Sequence, residues 1–216
     1  MDRMRGSGPR DRGSNPFGST SLRVGAFFGA NSFFCLIKRL CSKLVMETTP
    51  PLILTLRLDD ESQRFFNELR LRYFPPERNF LNAHLTLFHK LPDTSALAEQ
   101  LASLRLPGFE LQVSGLINLG AGVAYRLESK ELKEIHQILR GDLIDVLSPQ
   151  DKQGFRPHIT IQNKTTPAAS KALLEELTAD FKPFTVQAMG LDLWEYLGGP
   201  WAHRMYFPFL DANGGT

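Results

Sequence analysis

The stretch that decides the fold is His84–Phe88, His-Leu-Thr-Leu-Phe, because it returns as His158–Gln162, His-Ile-Thr-Ile-Gln. Both are short runs of β-forming residues in which apolar and polar side chains alternate, the pattern of a strand with one face buried. Leu85 and Leu87 project from one side of the first run, and Ile159 and Ile161 from one side of the second. His84 and Thr86, like His158 and Thr160, then share the other side, roughly 6.5–7 Å apart along the chain.

What surrounds the two runs repeats as well. Pro92-Asp93 opens a helix bearing Leu97, Leu101 and Leu104, which Pro107-Gly108 ends. Phe109–Leu119 and Gly122–Glu128 follow as two strands joined by a Gly-Ala-Gly turn. After the second run, Thr166-Pro167 is a helix start with proline at the first helical position, and Leu173, Leu174, Leu177 and Phe181 form its stripe. Phe184–Leu197 and Trp201–Phe209 again read as paired strands. His84 to Phe109 is 25 residues and His158 to Phe184 is 26, so one strand–helix–hairpin unit occurs twice.

Ahead of the first unit, residues 51–58 read as a strand, and Asp60 with Gln63 reads as a capping box for a helix over about 61–73. That helix carries Phe65, Phe66, Leu69 and Tyr73 on one face and stops at Pro75-Pro76. Between the units, Ser129 caps a helix over about 130–147 with Leu132, Ile135, Leu139, Leu143 and Val146 inward. The expected class is α+β: a duplicated bilobal fold with two mostly antiparallel sheets around a central cleft and helices on the outer faces.

Composition separates the chain in two. Residues 1–45 hold eight Lys or Arg against Asp2 and Asp11, a balance of +6, whereas 46–216 hold 17 basic and 21 acidic residues, a balance of −4. A mildly acidic domain lacks the basic footprint that duplex DNA or long RNA requires, so no stable duplex binding is expected. A small phosphorylated substrate or a single RNA end remains compatible. Both cysteines, Cys35 and Cys41, fall in the basic segment, so no disulfide or cysteine-based metal site can serve the domain. Residues 1–45 read as a disordered basic extension or a start codon placed too early. Their apolar run, Val24–Ile37, is short for a membrane span, and no cleavage site follows it directly. Residues 46–216 are the expected functional domain, with repeats starting near 84 and 158.

If the two polar faces meet across one groove, a single ligand faces two imidazoles and two hydroxyls. In-line displacement at phosphorus puts the attacking and leaving oxygens on opposite sides. One imidazole can take a proton from water while the other gives one to the leaving oxygen. The threonine hydroxyls can donate to the non-bridging oxygens. A single His-x-Thr on a strand is ordinarily structural; the signal here is that it is paired. Zinc would want a third protein ligand, and neither motif contains an acid or cysteine, so no metal and no cofactor are expected.

With these residues in hand, the chain resembles the 2H phosphoesterase superfamily and, within it, the bacterial 2′-5′ RNA ligase family. The resemblance covers about residues 50–210. It rests on HLTL at His84–Leu87, on Phe155-Arg156-Pro157 leading into HITI at His158–Ile161, and on the repeated order. It implies a bilobal fold with a central cleft and hydrolysis of 2′,3′-cyclic phosphate ends to a 2′-phosphate, with joining or cleavage of 2′-5′ linkages in some members. It also implies that His84 and His158 are catalytic and that Thr86 and Thr160 bind phosphate. The expected partner is an RNA end or a small cyclic nucleotide, met by a cytoplasmic monomer with no membrane association. The competing reading is a non-catalytic RNA-end or nucleotide-binding module on the same fold.

Other residues carry weaker signals. Arg156, two before His158, is a candidate substrate contact. Tyr125, Trp194, Tyr196 and Trp201 are candidates for stacking on a base, with core packing the alternative. His89 falls on the apolar side of its strand by parity, and His136 and His203 have no partner in sequence. Arg70, Arg72 and Arg78 read as a solvated helix end or an attractor for RNA.

Overall fold

Four helices begin where a short polar side chain can meet the free amides of a first turn. The computed structural model describes residues 50–210, so the expectations for residues 1–45, Cys35 and Cys41 included, lie outside the described residues. The elements run β1 (Leu52–Leu58), α1 (Asp60–Tyr73), β2 (Leu85–Leu91), α2 (Ser95–Ser103), β3 (Phe109–Asn118), β4 (Val123–Glu128), α3 (Lys130–Asp142), β5 (His158–Gln162), α4 (Pro167–Ala179), β6 (Phe184–Tyr196) and β7 (Trp201–Pro208). Thr94, Ser129 and Thr166 cap α2, α3 and α4 by accepting from the amides of Leu97, Leu132 and Ala169. Each such cap contributes about 1 kcal/mol.

At α1 the cap is Asp59, not Asp60. The Asp59 carboxylate accepts from the Ser62 amide and hydroxyl and from the Gln187 amide of β6, so it ties the helix start to the sheet as well. Gln63 is thereby released from the expected capping box, and it donates to the carbonyl of Ala83, the residue before His84. Helix α3 ends at Asp142 rather than near 147, with the Leu143 amide closing on the Leu139 carbonyl.

All strand pairings are antiparallel, and the strands form one seven-stranded sheet in the order β2-β1-β6-β3-β4-β5, with β7 also on β6. Two sheets were expected, and β6 is why one network results. It is 13 residues long; Phe184–Ala188 pair with β3, while Gly190–Tyr196 pair with β7 along the same edge and β1 takes the opposite edge. Alternate strand residues such as Leu54, Leu85, Leu111 and Ile159 join Phe66, Leu101, Leu139 and Leu173, one from each helix, in a single apolar cluster. The helices therefore cover one face of the sheet, and the other face is left for polar residues.

The hydrogen-bond registers repeat. Between β3 and β6, Phe109 faces Ala188 and Val113 faces Phe184, with Leu111 opposite Val186 at the centre. Adding 75 to each β3 number turns this ladder into itself. The same shift carries Gly115↔Arg126, between β3 and β4, onto Gly190↔Arg57, between β6 and β1. It also carries the irregularity at Ser114 onto one at Met189. Likewise Tyr125↔Ile159 and Ala124↔Thr160 match Leu56↔Leu85 and Thr55↔Thr86. Strand β7 has no counterpart in the first half among the described residues.

One consequence separates two equivalent glycines. A Cβ at Gly190 would press into the Phe207 carbonyl and lie 2.6 Å from Cε2 of Tyr206, both on β7, whereas a Cβ at Gly115 meets nothing within 4 Å. Gly190→Ala is expected to lose about 1–3 kcal/mol in urea denaturation, and Gly115→Ala to stay within about 0.5 kcal/mol of the parent. Equal losses at the two sites would contradict the role given to β7.

Candidate active site

The four motif side chains are part-buried, while their strand neighbours Leu85, Leu87, Ile159 and Ile161 are buried. The period of two has sorted each motif, apolar pair inward and His/Thr pair outward.

The two histidines are anchored identically. His84 Nδ1 lies 2.7 Å from the Asn82 carbonyl, and His158 Nδ1 lies 2.8 Å from the Arg156 carbonyl, each two residues upstream. A carbonyl only accepts, so Nδ1 carries a hydrogen in both rings, and Nε2 is the atom free to gain or lose a proton. Among the described residues neither Nε2 and neither threonine hydroxyl has a hydrogen-bond partner.

Burial lowers the pKa of His84 from 6.5 to about 4, opposed by the Asn82 carbonyl and reinforced by the positive charges of Arg70, His89 and His158. His84 is therefore a neutral imidazole at neutral pH. Strand β2, which follows directly on His84, and β5, which begins with His158, also approach one another.

Arg70 bridges the two segments. Its Nε donates to the Leu81 carbonyl and to Asn79 Oδ1, both at 2.9 Å, and its Nη1 donates to the Thr160 carbonyl at 2.9 Å. One guanidinium thus links the segment leading into His84 to the strand carrying His158. It is 5% exposed, stacked over Phe74 at 4.0 Å, and desolvation lowers its pKa to about 10. The Arg70, Arg72 and Arg78 group is not a solvated helix end at its first member. Asp151 makes the reciprocal tie: its buried carboxylate accepts from the amides of His89 and Lys90 on β2 and from Ser148 Oγ, fixing the segment that leads to His158.

A cavity of about 360 Å³ opens beside His84, walled by Asn82, Phe80, Thr55, Asp192, Trp194 and Trp201. Thr86, His158 and Thr160 are not among its walls. The Trp201 ring sits 4.6 Å from the His84 ring, and Trp194 Nε1 donates to Thr55 Oγ1. Asp192 accepts two hydrogen bonds from Arg57 and contacts His203 Nε2 at 2.8 Å, so His203 does have a partner.

Several expectations change. Tyr125 is 5% exposed within the aromatic group of Phe66 and Phe184, so it is core. The Arg156 side chain is exposed, which leaves it accessible to a substrate, and its carbonyl accepts from His158 Nδ1. His89 is not on the apolar side: β2 takes an extra residue between Thr86 and Phe88, and the bulge reverses parity beyond it. His136 is held between the rings of Phe88 and Phe155, at 4.7 and 3.9 Å. Arg57 and Asp192 carried no recognised signal, and Arg70 carried only that of a helix-end cluster. An alignment of the two repeats would have found two of them, because Arg57 answers to Arg126, and Arg70 to Arg140 at the same step from the helix cap.

Among the described residues, no three His, Cys, Asp or Glu side chains converge to hold a metal ion, and no helix is long and apolar enough to cross a membrane.

A family model described as 2′-5′ RNA ligase superfamily matches residues 58–200. Among solved structures, Escherichia coli LigT complexed with 3′-AMP is similar at 19% identity and a TM-score of 0.51, over 74% of this chain and 98% of that one. A structure described as a phosphoesterase matches at 21% identity with a TM-score of 0.51, over 74% and 98%. The protein TT0787 of Thermus thermophilus matches at 17% and 0.51, over 75% and 99%. At such identities the likeness is one of fold. No curated protein matches the chain.

The charge environment of His84 can be tested directly. Its imidazole C–H resonance is expected to titrate near 4 in NMR. Arg70→Gln removes a positive charge that disfavours the imidazolium, so the midpoint should rise while burial keeps it below 6.5. A midpoint that is unmoved or lower would remove Arg70 from the site's electrostatics.

Proposed function

The chain belongs to the 2′-5′ RNA ligase superfamily, and from that premise we propose that it is a metal-independent phosphoesterase opening the 2′,3′-cyclic phosphate of a nucleoside or RNA end to a 2′-phosphate. The observation that carries the reading is the matched anchoring of two imidazoles, each with Nδ1 on a carbonyl and Nε2 unpartnered. Proton transfer at both ends of an in-line displacement needs two such nitrogens.

His84, neutral through burial, is the base. Its Nε2 takes a proton from water as the water oxygen bonds to phosphorus. The bond from phosphorus to O3′ breaks, and His158 Nε2 delivers its proton to that oxygen. Thr86 and Thr160 donate to the non-bridging oxygens, where charge accumulates. The product carries a 2′-phosphate, and transfer of the proton from His84 back to His158 through solvent restores the starting state. Run with a ribose hydroxyl in place of water, the same geometry joins or cleaves 2′-5′ linkages.

A duplicated, two-lobed architecture with a central cleft is part of this proposal, supported by the repeating registers. The E. coli LigT structure with 3′-AMP supports a nucleotide-sized ligand, and the cavity of about 360 Å³ beside His84 has room for one nucleoside. A monomer in a reducing, cytoplasmic setting suits a domain without cysteine over residues 46–216.

Hydrolysis of a 2′,3′-cyclic nucleotide should persist in EDTA and fall by ~10²–10⁴ in kcat/KM in either His84→Ala or His158→Ala. Because the base must be unprotonated, the acid limb of the pH profile should lie near 4, the value for His84. Loss of activity on chelation would point to a metallohydrolase, and nucleotide binding without turnover to a binding module.

A further inference from the structure

The two halves repeat an arginine beside each histidine motif but treat it differently. On β4, Arg126 stands directly opposite His158 of β5, so their side chains project from the same face about 5 Å apart at the backbone. Its equivalent on β1 is Arg57, as the shared registers Arg126↔Gly115 and Arg57↔Gly190 establish.

Arg57 is paired with a carboxylate and an aromatic ring. Asp192 accepts from its Nε at 2.8 Å and its Nη2 at 2.6 Å, and its guanidinium lies 4.0 Å from the centre of the Tyr206 ring. The position equivalent to Asp192 in the other half is Ile117, facing Ala124 as Asp192 faces Thr55. Among the described residues the strand that brings Tyr206 has no counterpart there, and the space over Gly115 is open. Arg126 is exposed, and among the described residues its side chain has no hydrogen bond, ion pair or ring contact. One half supplies a carboxylate to its arginine and the other does not.

Position indicates what this cation meets. Strands β2 and β5 approach one another, while β1 and β4 lie on their far flanks. Across the face the order is Arg57, His84, His158, Arg126. The His84 flank is a cavity with aromatic walls, Trp201, Trp194 and Phe80; the His158 flank carries the exposed guanidinium of Arg126. In a ribose the 2′,3′ edge lies between C1′, which bears the base, and C4′, which bears the 5′-phosphoester. With the cyclic phosphate between the imidazoles, base and 5′-phosphate leave in opposite directions.

We propose that Arg126 holds the 5′-phosphate of the nucleotide whose cyclic phosphate reacts, so that the site selects nucleotides carrying that second phosphate, whether as a terminal monoester or as the link to an upstream residue. This rests on the phosphoesterase reading for the orientation of the ligand. It makes Arg126 a specificity-determining contact outside the proton-transfer pair.

Two measurements on the full chain test it. Calorimetry with adenosine 2′-monophosphate and adenosine 2′,5′-bisphosphate reads the second phosphate without turnover. Kinetics with a 2′,3′-cyclic nucleotide, with and without a 5′-phosphate, read it in catalysis. The parent should favour the 5′-phosphorylated member of each pair by ~10- to 100-fold, the range of one charge-assisted contact. Arg126→Gln should remove most of that preference, and Arg126→Lys should restore part of it. No preference in the parent, or a preference intact in Arg126→Gln, overturns the proposal even if hydrolysis occurs. A binding preference that vanishes in Arg126→Gln, in a protein that hydrolyses neither substrate, sustains Arg126 as a phosphate contact and refutes the phosphoesterase reading instead.

Discussion

Everything at the site depends on a strand being sorted by its period of two against a buried helical layer. His84 and Thr86 face outward because Leu85 and Leu87 are captured by the helical layer, and the same holds for His158 and Thr160 above Ile159 and Ile161. A slip of one residue in either strand would bury the imidazole and expose the leucines or isoleucines, a loss of several buried side chains at roughly 1.5–3 kcal/mol each. The hydrophobic layer thus sets the orientation of the polar one. The carbonyls of Asn82 and Arg156 then fix the rotation of each ring, which strand geometry alone leaves open.

Holding two such strands at one place is a separate problem, and it is met with buried polar groups. Arg70 is a nearly inaccessible guanidinium whose partners are carbonyls and an amide oxygen instead of a carboxylate. Desolvating that charge is costly. What the arrangement provides is direction, because a planar fork reaches the Leu81 segment and Thr160 together, which an apolar side chain cannot do. Its charge has a second effect, since it helps keep His84 neutral. Asp151 performs the reciprocal task from the other half through backbone amides of β2. Each motif strand is gripped by the segment that precedes the other motif.

On this repeated frame the decoration is unequal. Strand β7 adds Trp201 against His84, His203 on Asp192 and Tyr206 on Arg57, and it fills the space above Gly190. The half containing His158 and Arg126 receives none of this. Two imidazoles with the same local geometry therefore sit in different surroundings, one against aromatic rings and one beside a cation with no partner among the described residues, and a symmetric pair of groups can take unlike roles.

Local pattern was enough for a good deal. The alternation around His84 and His158, the strand-then-helix order that follows each motif, the caps at Ser129 and Thr166-Pro167, and the outward pairing of His with Thr all follow from residues within a few positions of one another. The expected hairpin does not repeat, because β4 answers to β1 and β7 has no counterpart among the described residues. The merging of the strands into one sheet, the reversal of His89 by a bulge, the choice of Asp59 over Asp60 as a cap and the burial of Arg70 did not follow from local pattern. Each of these was settled by a partner far along the chain: β3, β1 and β7 on β6, β1 on β2, Gln187 on Asp59, and Thr160 on Arg70. Side-chain direction is a property of a strand's own backbone and can be read in sequence. Register, bulges and the satisfaction of a buried charge belong to pairs of segments, and only the folded chain decides which segments meet.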